Sequence, residues 1–400
     1  MNVLICNVGS TSLKYKLFDM DHGEHVLASG GAERVGTDKS FFNHRNNISS
    51  TAWRNDIPMP THREAISEML EALLQCAVSS LDEISCVGFK VVHGGPVTGT
   101  QYLTEDVLRT MESFNSVAPA HNPPYIAAVR QFRELMPDTP LIGSFETAFH
   151  SGMSPEASLY SIPLEISRKY NIRRYGFHGA SHEYMTDWVS ETMGRSDLRI
   201  ISCHLGGSGS LAAVRNGVSI DTTMGMSLQC GVLHNNRIGD IDPYVIFYLN
   251  EKCGMDLPDI KQMLQTESGL YGLSGGISND LRDIETAAEQ GNRDAETALN
   301  AYAYTVKKYI GSYAAALNGV DAIVFGGGIG QNSSTIRRLA LDGLDFMGIA
   351  LDESKNLAAL AGEDISAERS HTRIFVVETN EELVVARKAM QLLLRNSTHR

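Results

Sequence analysis

Short apolar runs, more than long amphipathic stretches, set the rhythm of this chain. Val3 to Cys6 and Arg199 to His204 are each long enough for one buried strand. Each leads into a cluster of glycine and hydroxyl residues, Gly9-Ser10-Thr11-Ser12 and Gly206-Gly207-Ser208-Gly209-Ser210. Each cluster is followed by a second apolar run, Leu13 to Phe18 and Leu211 to Val214, the latter closed by the turn signal Asn216-Gly217. Two strand–turn–strand units about half a chain apart predict a duplicated domain, with two phosphate-facing turns and a cleft between the halves.

Between and beyond these units the periodicity alternates between strand and helix. Thr61 to Ala77 carries apolar residues at helical spacing, and Thr61 with Glu64 predicts a capping box. Ser85 to Val92 reads as a strand ending in His93-Gly94-Gly95-Pro96, and Leu141 to Ser144 as a strand ending in Phe145-Glu146-Thr147. Ala118 to Pro124 reads as a rigid connection before a helix from Tyr125 to Leu135, and residues 151 to 175 as the passage into the second half. Further helices are expected over Tyr244 to Asn250, Leu257 to Gln265, from Asp280 through Ala288, and over Tyr302 to Leu317. Val320 to Phe325 is a buried strand before Gly326-Gly327-Gly328-Ile329-Gly330-Gln331-Asn332, whose helix is expected to begin too late for a dinucleotide fingerprint. Residues 373 to 378 give the last strand, Thr379-Asn380 caps a final helix from Glu381, and the tail after Arg395 is expected to fray.

Composition narrows the class. The chain has 400 residues, suiting two domains, with 42% hydrophobic and 20% charged residues. No apolar run approaches a membrane span, and the N-terminal residues lack the form of a signal peptide, so a cytoplasmic protein with no membrane partner is expected. The formal net charge of −13 argues against nucleic acid as a partner but not against a nucleotide, which needs only local cations. Six cysteines without CxxC spacing read as reduced core residues.

The candidate chemistry follows from residue types at turns. A glycine turn lets backbone N–H groups approach a phosphate, and serine adds hydroxyl donors; an ordinary hairpin would have the same outline. Lys14 places a cation just past the first turn. Glu146 at a strand end with His150 nearby suits a metal or acid–base site, or a plain helix cap. His178 and His182 are four apart, but no metal motif accompanies them; a phosphate-facing His178 and a structural His182 fit better. Arg237, in the loop Asn235-Asn236-Arg237-Ile238-Gly239-Asp240, can reach a transferring phosphoryl group or pair with an aspartate. The glycine run at 326–328 suits a base or ribose lying against backbone.

Together the stretches NVGSTSLKYKLFD, VVHGG, APAHNPP, ETAFH, YGFHGASH, CHLGGSGSLAAVRNG, DTTMG, RIGDIDP, SGLYGLSG, DLRDIE, GGGIGQN and TNEEL resemble the acetate kinase family, which includes propionate kinases. That family lies within the acetate and sugar kinase/Hsp70/actin superfamily. The resemblance implies an α/β fold of two duplicated actin-like, ribonuclease H-like domains with a central cleft. It implies a first domain over 1–150, a second over 151–380, and a C-terminal helix over 381–396 packing back on the first. It also implies a homodimer through the second domain, Mg²⁺ or Mn²⁺, and reversible transfer of the ATP γ-phosphoryl to acetate or propionate, giving acyl phosphate and ADP.

Carried over residue by residue, the resemblance assigns the metal to Asn7 and Glu381 and phosphate contacts to Ser10, Ser12 and Lys14. It assigns the nucleotide to His204, Leu205, Gly206, Gly207 and Ser208, to Asp280, Leu281 and Arg282, and to Gly328, Ile329, Gly330, Gln331 and Asn332. Glu146, His178 and Arg237 become catalytic, and Lys90, Val92, Ala120, His121, Phe177 and Leu228 face the carboxylate. A carboxylate is already a nucleophile at neutral pH; what it needs is relief from repulsion by the triphosphate.

Several positions depart from the family pattern and mark the chain as a divergent member. Lys90 stands where arginine is usual, Glu146 replaces aspartate, Gly207-Ser208 replaces Asn-Gly, and Gln331 replaces glutamate. Ala120 and Leu228 replace a leucine and a proline in the acyl pocket, and the smaller Ala120 predicts a wider pocket. Lys90 and Glu146 read as a compensating pair. The competing readings are a kinase for a larger carboxylate or another phosphoryl donor, and a drifted nucleotide-binding protein without activity. A sugar kinase would need an aspartate base for a hydroxyl.

Overall fold

The computed structural model describes residues 1–397. The chain divides into two compact units, Met1–Ala148 with Asn380–Arg400, and Phe149–Thr379.

The first unit is built on one sheet of eight strands: β1 (Asn2–Val8), β2 (Ser12–Asp19), β3 (His25–Glu33), β4 (Phe41–Asn46), β5 (Thr51–Asp56), β6 (Ile84–Val91), β7 (Thr100–Tyr102) and β8 (Leu141–Phe145). Its order is β5-β4-β3-β2-β1-β6-β8-β7. β1, β2 and β3 pair antiparallel, while β1, β6 and β8 run parallel. The second unit has six strands: β9 (Arg199–Leu205), β10 (Gly209–Arg215), β11 (Val218–Thr222), β12 (Ala322–Gly326), β13 (Glu363–Asp364) and β14 (Arg373–Val376). Their order is β11-β10-β9-β12-β14-β13. Three antiparallel strands followed by two parallel ones thus recur in both sheets, which is the duplication that the paired glycine turns predict.

Both faces of each sheet are covered, so its central strands carry apolar residues on both faces instead of alternating. In β1, Leu4, Cys6 and Val8 face a core completed by the helices His62–Cys76 and Asn122–Leu135. Val3 and Ile5 face the other way, onto Val385, Ala386 and Ala389 of the last helix, Glu381–Ser397. In β9, Ile201, Cys203 and Leu205 face the helix Arg293–Leu317, while Ile200 faces Met185 and Val189 of the helix Gly179–Met193. Each such buried aliphatic side chain contributes about 1.5–3 kcal/mol.

The capping box at Thr61 and Glu64 is present, and Asn380 accepts from the Leu383 amide at 3.3 Å. Four expectations are corrected. A helix Gly327–Asn332 starts directly at the end of β12, so it does not begin late. Pro123 and Pro124 lie inside the first turn of their helix and not before it, because a first turn needs no intrahelical N–H. The passage 151–175 contains two helices, Pro155–Ser158 and Leu164–Tyr170. The last helix continues through Ser397; the expectation for 398–400 lies outside the described residues. Of the cysteines, Cys6, Cys86 and Cys203 are buried, but Cys253 is exposed. Among the described residues no helix is long and apolar enough to cross a membrane.

Candidate active site

In the first unit the turn after β1 is closed by the Gly9 amide donating to the Ser12 carbonyl at 2.9 Å. His62, at the start of its helix, holds the same turn, its Nε2 lying 2.9 Å from the Gly9 carbonyl and 3.3 Å from that of Ser12. A carbonyl only accepts, so Nε2 carries the proton. Nothing in the sequence marks His62 for this role. Ser10 is exposed, Ser12 is half-buried, and the Lys14 ammonium is largely exposed, 3.9 Å from Glu33.

Asn7, at the end of β1, accepts from the Tyr125 hydroxyl through Oδ1 at 2.6 Å, which fixes its amide. One strand over, Lys90 donates to Glu381 Oε2 at 2.5 Å. Burial works to discharge the Lys90 ammonium, but Glu381, then Glu146, then Tyr125 outweigh it and hold the group firmly charged. Glu146 is buried, its backbone tied to Val91, so Lys90 serves two carboxylates and not Glu146 alone. Val92 is buried nearby in sequence; the His93 carbonyl accepts from Asn122, whose amide also holds Met111. Gly95 sits at φ +58 with Phe114 against the space a Cβ would fill, so this turn requires glycine. Ala120 is exposed and His121 half-buried, where the chain enters the helix Asn122–Leu135.

In the second unit the turn Gly206–Ser210 is a hub. Its Gly209 amide donates to His234 Nδ1 at 3.1 Å, and the Asn235 amide donates to the Gly207 carbonyl at 3.0 Å. The loop that carries Arg237 is therefore bolted to the turn. On the turn's far side, Ser210 Oγ lies 2.8 Å from His178 Nδ1. Ser208 Oγ is buried and has no hydrogen-bond partner among the described residues, as a donor reserved for a ligand would be.

Arg237 donates to the Leu228 carbonyl at 2.6 Å. Burial pulls its pKa down to about 10, which leaves it charged at neutral pH, and no carboxylate among the described residues offsets the cost. The alternative of a salt bridge is thereby excluded: Asp240 accepts instead from the Gly231 amide and the Tyr309 hydroxyl. His178 adopts a left-handed conformation (φ 57°) at the start of its helix, and its ring stacks on His204 at 4.2 Å. Phe177 is buried, its carbonyl held by His150 Nε2 at 3.0 Å.

Of the segments expected to hold a nucleotide, the glycine-rich one meets this hub directly. Gly327, at φ +75, brings its backbone against Leu205, where a Cβ would lie 2.6 Å from the Leu205 carbonyl. Buried Arg337, unmarked in the sequence, donates to the carbonyls of Gly330 and Gln331 at 2.9 and 2.8 Å and so caps the glycine-rich helix. Asn332 closes onto the Gly328 carbonyl. Asp280 caps the helix Leu281–Glu289, and the Arg282 guanidinium folds back on it, holding the Asp280 carboxyl down at about 2. Leu205, Leu281 and Ile329 point into the core, so any ligand contact from these positions is made by backbone.

The chain matches the model of the Acetokinase family over residues 2–387. An acetate kinase of Geobacillus kaustophilus is 44% identical over 394 residues, covering 98% of each chain. The chain belongs to the acetokinase family. It is a kinase that transfers phosphate from ATP to a carboxylate. The crystal structure of Porphyromonas gingivalis acetate kinase superposes with a TM-score of 0.89 at 36% identity, over 98% of this chain and 99% of that one. A propionate kinase from Francisella tularensis gives 0.89 at 32% identity, over 97% and 98%. The fold is accordingly the duplicated actin-like one. Identities of this size over nearly the whole length do not set the chain apart as divergent, despite Lys90 and Glu146.

Within this acetokinase chain, Asn7, Lys90, Val92, Ala120, His121, Glu146 and Glu381 belong to the first unit. Phe177, His178, Leu228, Arg237 and the three segments expected to hold a nucleotide belong to the second. No group of three or more His, Cys, Asp or Glu side chains that could hold a metal occurs among the described residues. Magnesium does not require one: it binds through one or two protein oxygens and completes its shell with phosphates and water. Asn7 Oδ1, oriented by Tyr125, and the Glu381 carboxylate fit that pattern.

Proposed function

We propose that the chain phosphorylates acetate or another short carboxylate, with Arg237 and His178 stabilising the phosphoryl group in transfer. A carboxylate oxygen bonds to the γ-phosphorus as the bond to the β-phosphate oxygen breaks, and ADP leaves with those electrons. Charge spreads over the three peripheral oxygens, which call for fixed donors and a cation. The observation that carries this reading is Arg237: a buried guanidinium with no carboxylate to neutralise it, in a loop bolted to a glycine–serine turn. Ser10, Ser12 and Lys14 line a phosphate turn in the first unit, and Ser208 supplies a hydroxyl in the second. Asn7 and Glu381 would hold Mg²⁺, which neutralises phosphate charge when bound. Lys90 and Glu146 set the field near the acceptor, and exposed Ala120 supports acceptance of a longer acyl chain.

A homodimer through the second unit is part of this reading. Its helix Tyr244–Cys253 leaves Tyr244, Phe247 and Tyr248 more than half exposed, and Leu257 follows in the same state. Such a contiguous apolar surface suits a protein partner. Sedimentation at micromolar concentration tests it, with a monomer as the refuting result.

Trapping acyl phosphate with hydroxylamine, across acetate, propionate and butyrate and with ATP, GTP or pyrophosphate as donor, tests the reaction. Product from ATP and acetate is expected. A protein that binds ATP but yields no hydroxamate with any acceptor would be a nucleotide-binding relic.

A further inference from the structure

The histidines of the second unit are wired to serines in a way that the phosphoryl-transfer reading leaves unused. His182 is fully buried, with Nδ1 2.8 Å from Ser202 Oγ and Nε2 2.8 Å from Ser210 Oγ. Ser210 Oγ, itself fully buried, continues to His178 Nδ1 at 2.8 Å. We infer that Ser202, His182 and Ser210 form a buried relay that holds His178 as its Nε2–H tautomer, so that the ring presents a fixed donor to the transferring phosphoryl group. This rests on the reading of His178 as a phosphoryl-stabilising residue.

The proton inventory gives the direction. Each hydroxyl has one proton, and a neutral imidazole has one N–H. Burial, reinforced by His150 and His204, pushes the His182 pKa well below its ordinary value, so this ring is neutral. Two arrangements place one proton in each bond. In the first, Ser202 donates to His182 Nδ1, His182 Nε2–H donates to Ser210, and Ser210 donates to His178 Nδ1. The proton of a neutral His178 then sits on Nε2. In the reverse arrangement His178 donates to Ser210, Ser210 to His182, and His182 to Ser202. The Ser202 proton is then left with Met185 Sδ at 4.0 Å, a weak acceptor. Either arrangement leaves one proton outside these three bonds: the first leaves it on His178 Nε2, where a phosphoryl oxygen can accept it, and the second leaves it on Ser202 beside a weak acceptor, the poorer solution for a buried polar network.

The direction suits the chemistry. A phosphoryl oxygen only accepts, so with a neutral His178 the reversed relay would aim a lone pair at an anion. A neutral Nε2–H donates without taking a proton from solution. The ring is also braced from other sides: His150 holds the Phe177 carbonyl, and His204 stacks on the imidazole. Ser210 and His182 are thus positioning residues, acting through His178.

Long-range proton–nitrogen NMR on protein labelled at histidine reads the tautomer directly, His178 being assigned from the spectrum of His178→Gln. The expected wild-type spectrum has a bare nitrogen at Nδ1 and a protonated one at Nε2. In Ser210→Ala the His178 signals should move toward a tautomer mixture, with kcat falling about tenfold to a hundredfold and both KM values held within about twofold. Should Ser210→Ala fail to fold, Ser202→Ala, two bonds away from His178, should produce the same spectral change with a smaller loss. A proton on Nδ1 in the wild type, or a His178 spectrum unaltered by either serine substitution, overturns the relay. Expected spectra combined with a fully active His178→Gln would leave the relay standing and overturn instead the role given to His178.

Discussion

The ammonium of Lys90 donates to Glu381 at 2.5 Å, joining the end of β6 to the first residue of the last helix. The carboxylate that suits a magnesium ion is therefore already paired with a cation from its own unit. Lys90→Met should leave the half-buried Glu381 without its counter-charge and cost about 3 kcal/mol of stability, while Lys90→Arg should cost less than about 1. Chemical denaturation measures both. With Glu381 released, the Mg²⁺ concentration for half-maximal activity in Lys90→Met should fall; an unchanged value would separate Glu381 from the metal.

Arg237 offers the opposite balance. Its burial without a carboxylate is a standing cost, so Arg237→Met should leave the melting temperature unchanged or raise it. Activity should fall on the order of 10³-fold or more. Differential scanning calorimetry beside hydroxamate assays checks the pair. Joint loss of stability and activity would make Arg237 a structural residue.

The buried histidines of the second unit set an acid limit. Burial holds His150 at about 4 and His234 at about 3, and keeps His182 low as well. The unfolded chain takes up these protons from about pH 6.5 downward, while the folded chain does not, so stability falls as pH falls through that window. His150 alone accounts for about 3 kcal/mol between pH 6.5 and 4. Urea unfolding at pH 7.5, 6 and 5 should show the decline, and His150→Asn should flatten it.

Ala120, which the resemblance sets where a leucine is usual, is exposed. Ala120→Leu should lower kcat/KM for butyrate relative to acetate by about tenfold, the discrimination available from a few methylenes. An unchanged ratio across acetate, propionate and butyrate would remove this position from the acyl site.

The parts legible in the sequence are those whose cause is local. A short apolar run closed by glycine and serine announces β1 and β9, and Thr61 with Glu64 announces a helix start, because strand burial and capping act over a few residues. The helix Glu105–Ser113 carries a similar local signal, Thr104 followed by two acidic residues. The helix Gly327–Asn332 was hidden for a physical reason. Three of its six residues are glycine, which opposes helix formation, and it is held by Arg337, several residues downstream, reaching back to its carbonyls. The serine–histidine relay was invisible too, since residues 182, 202 and 210 meet only when the helix Gly179–Met193 lies on β9 and β10. At Arg237 the sequence left two fates open, and the lack of a carboxylate partner among the described residues, with Asp240 engaged elsewhere, decides between them.

The first sheet is roofed on one face by Val385, Ala386 and Ala389, residues that follow the whole second unit in the chain. During synthesis its strands emerge early but stay bare on that face until residues 385–389 have followed. The amino-terminal unit, first to be made, is thus the last to be completed, and a nascent chain stalled anywhere before residue 380 would hold an open apolar surface for a chaperone to cover.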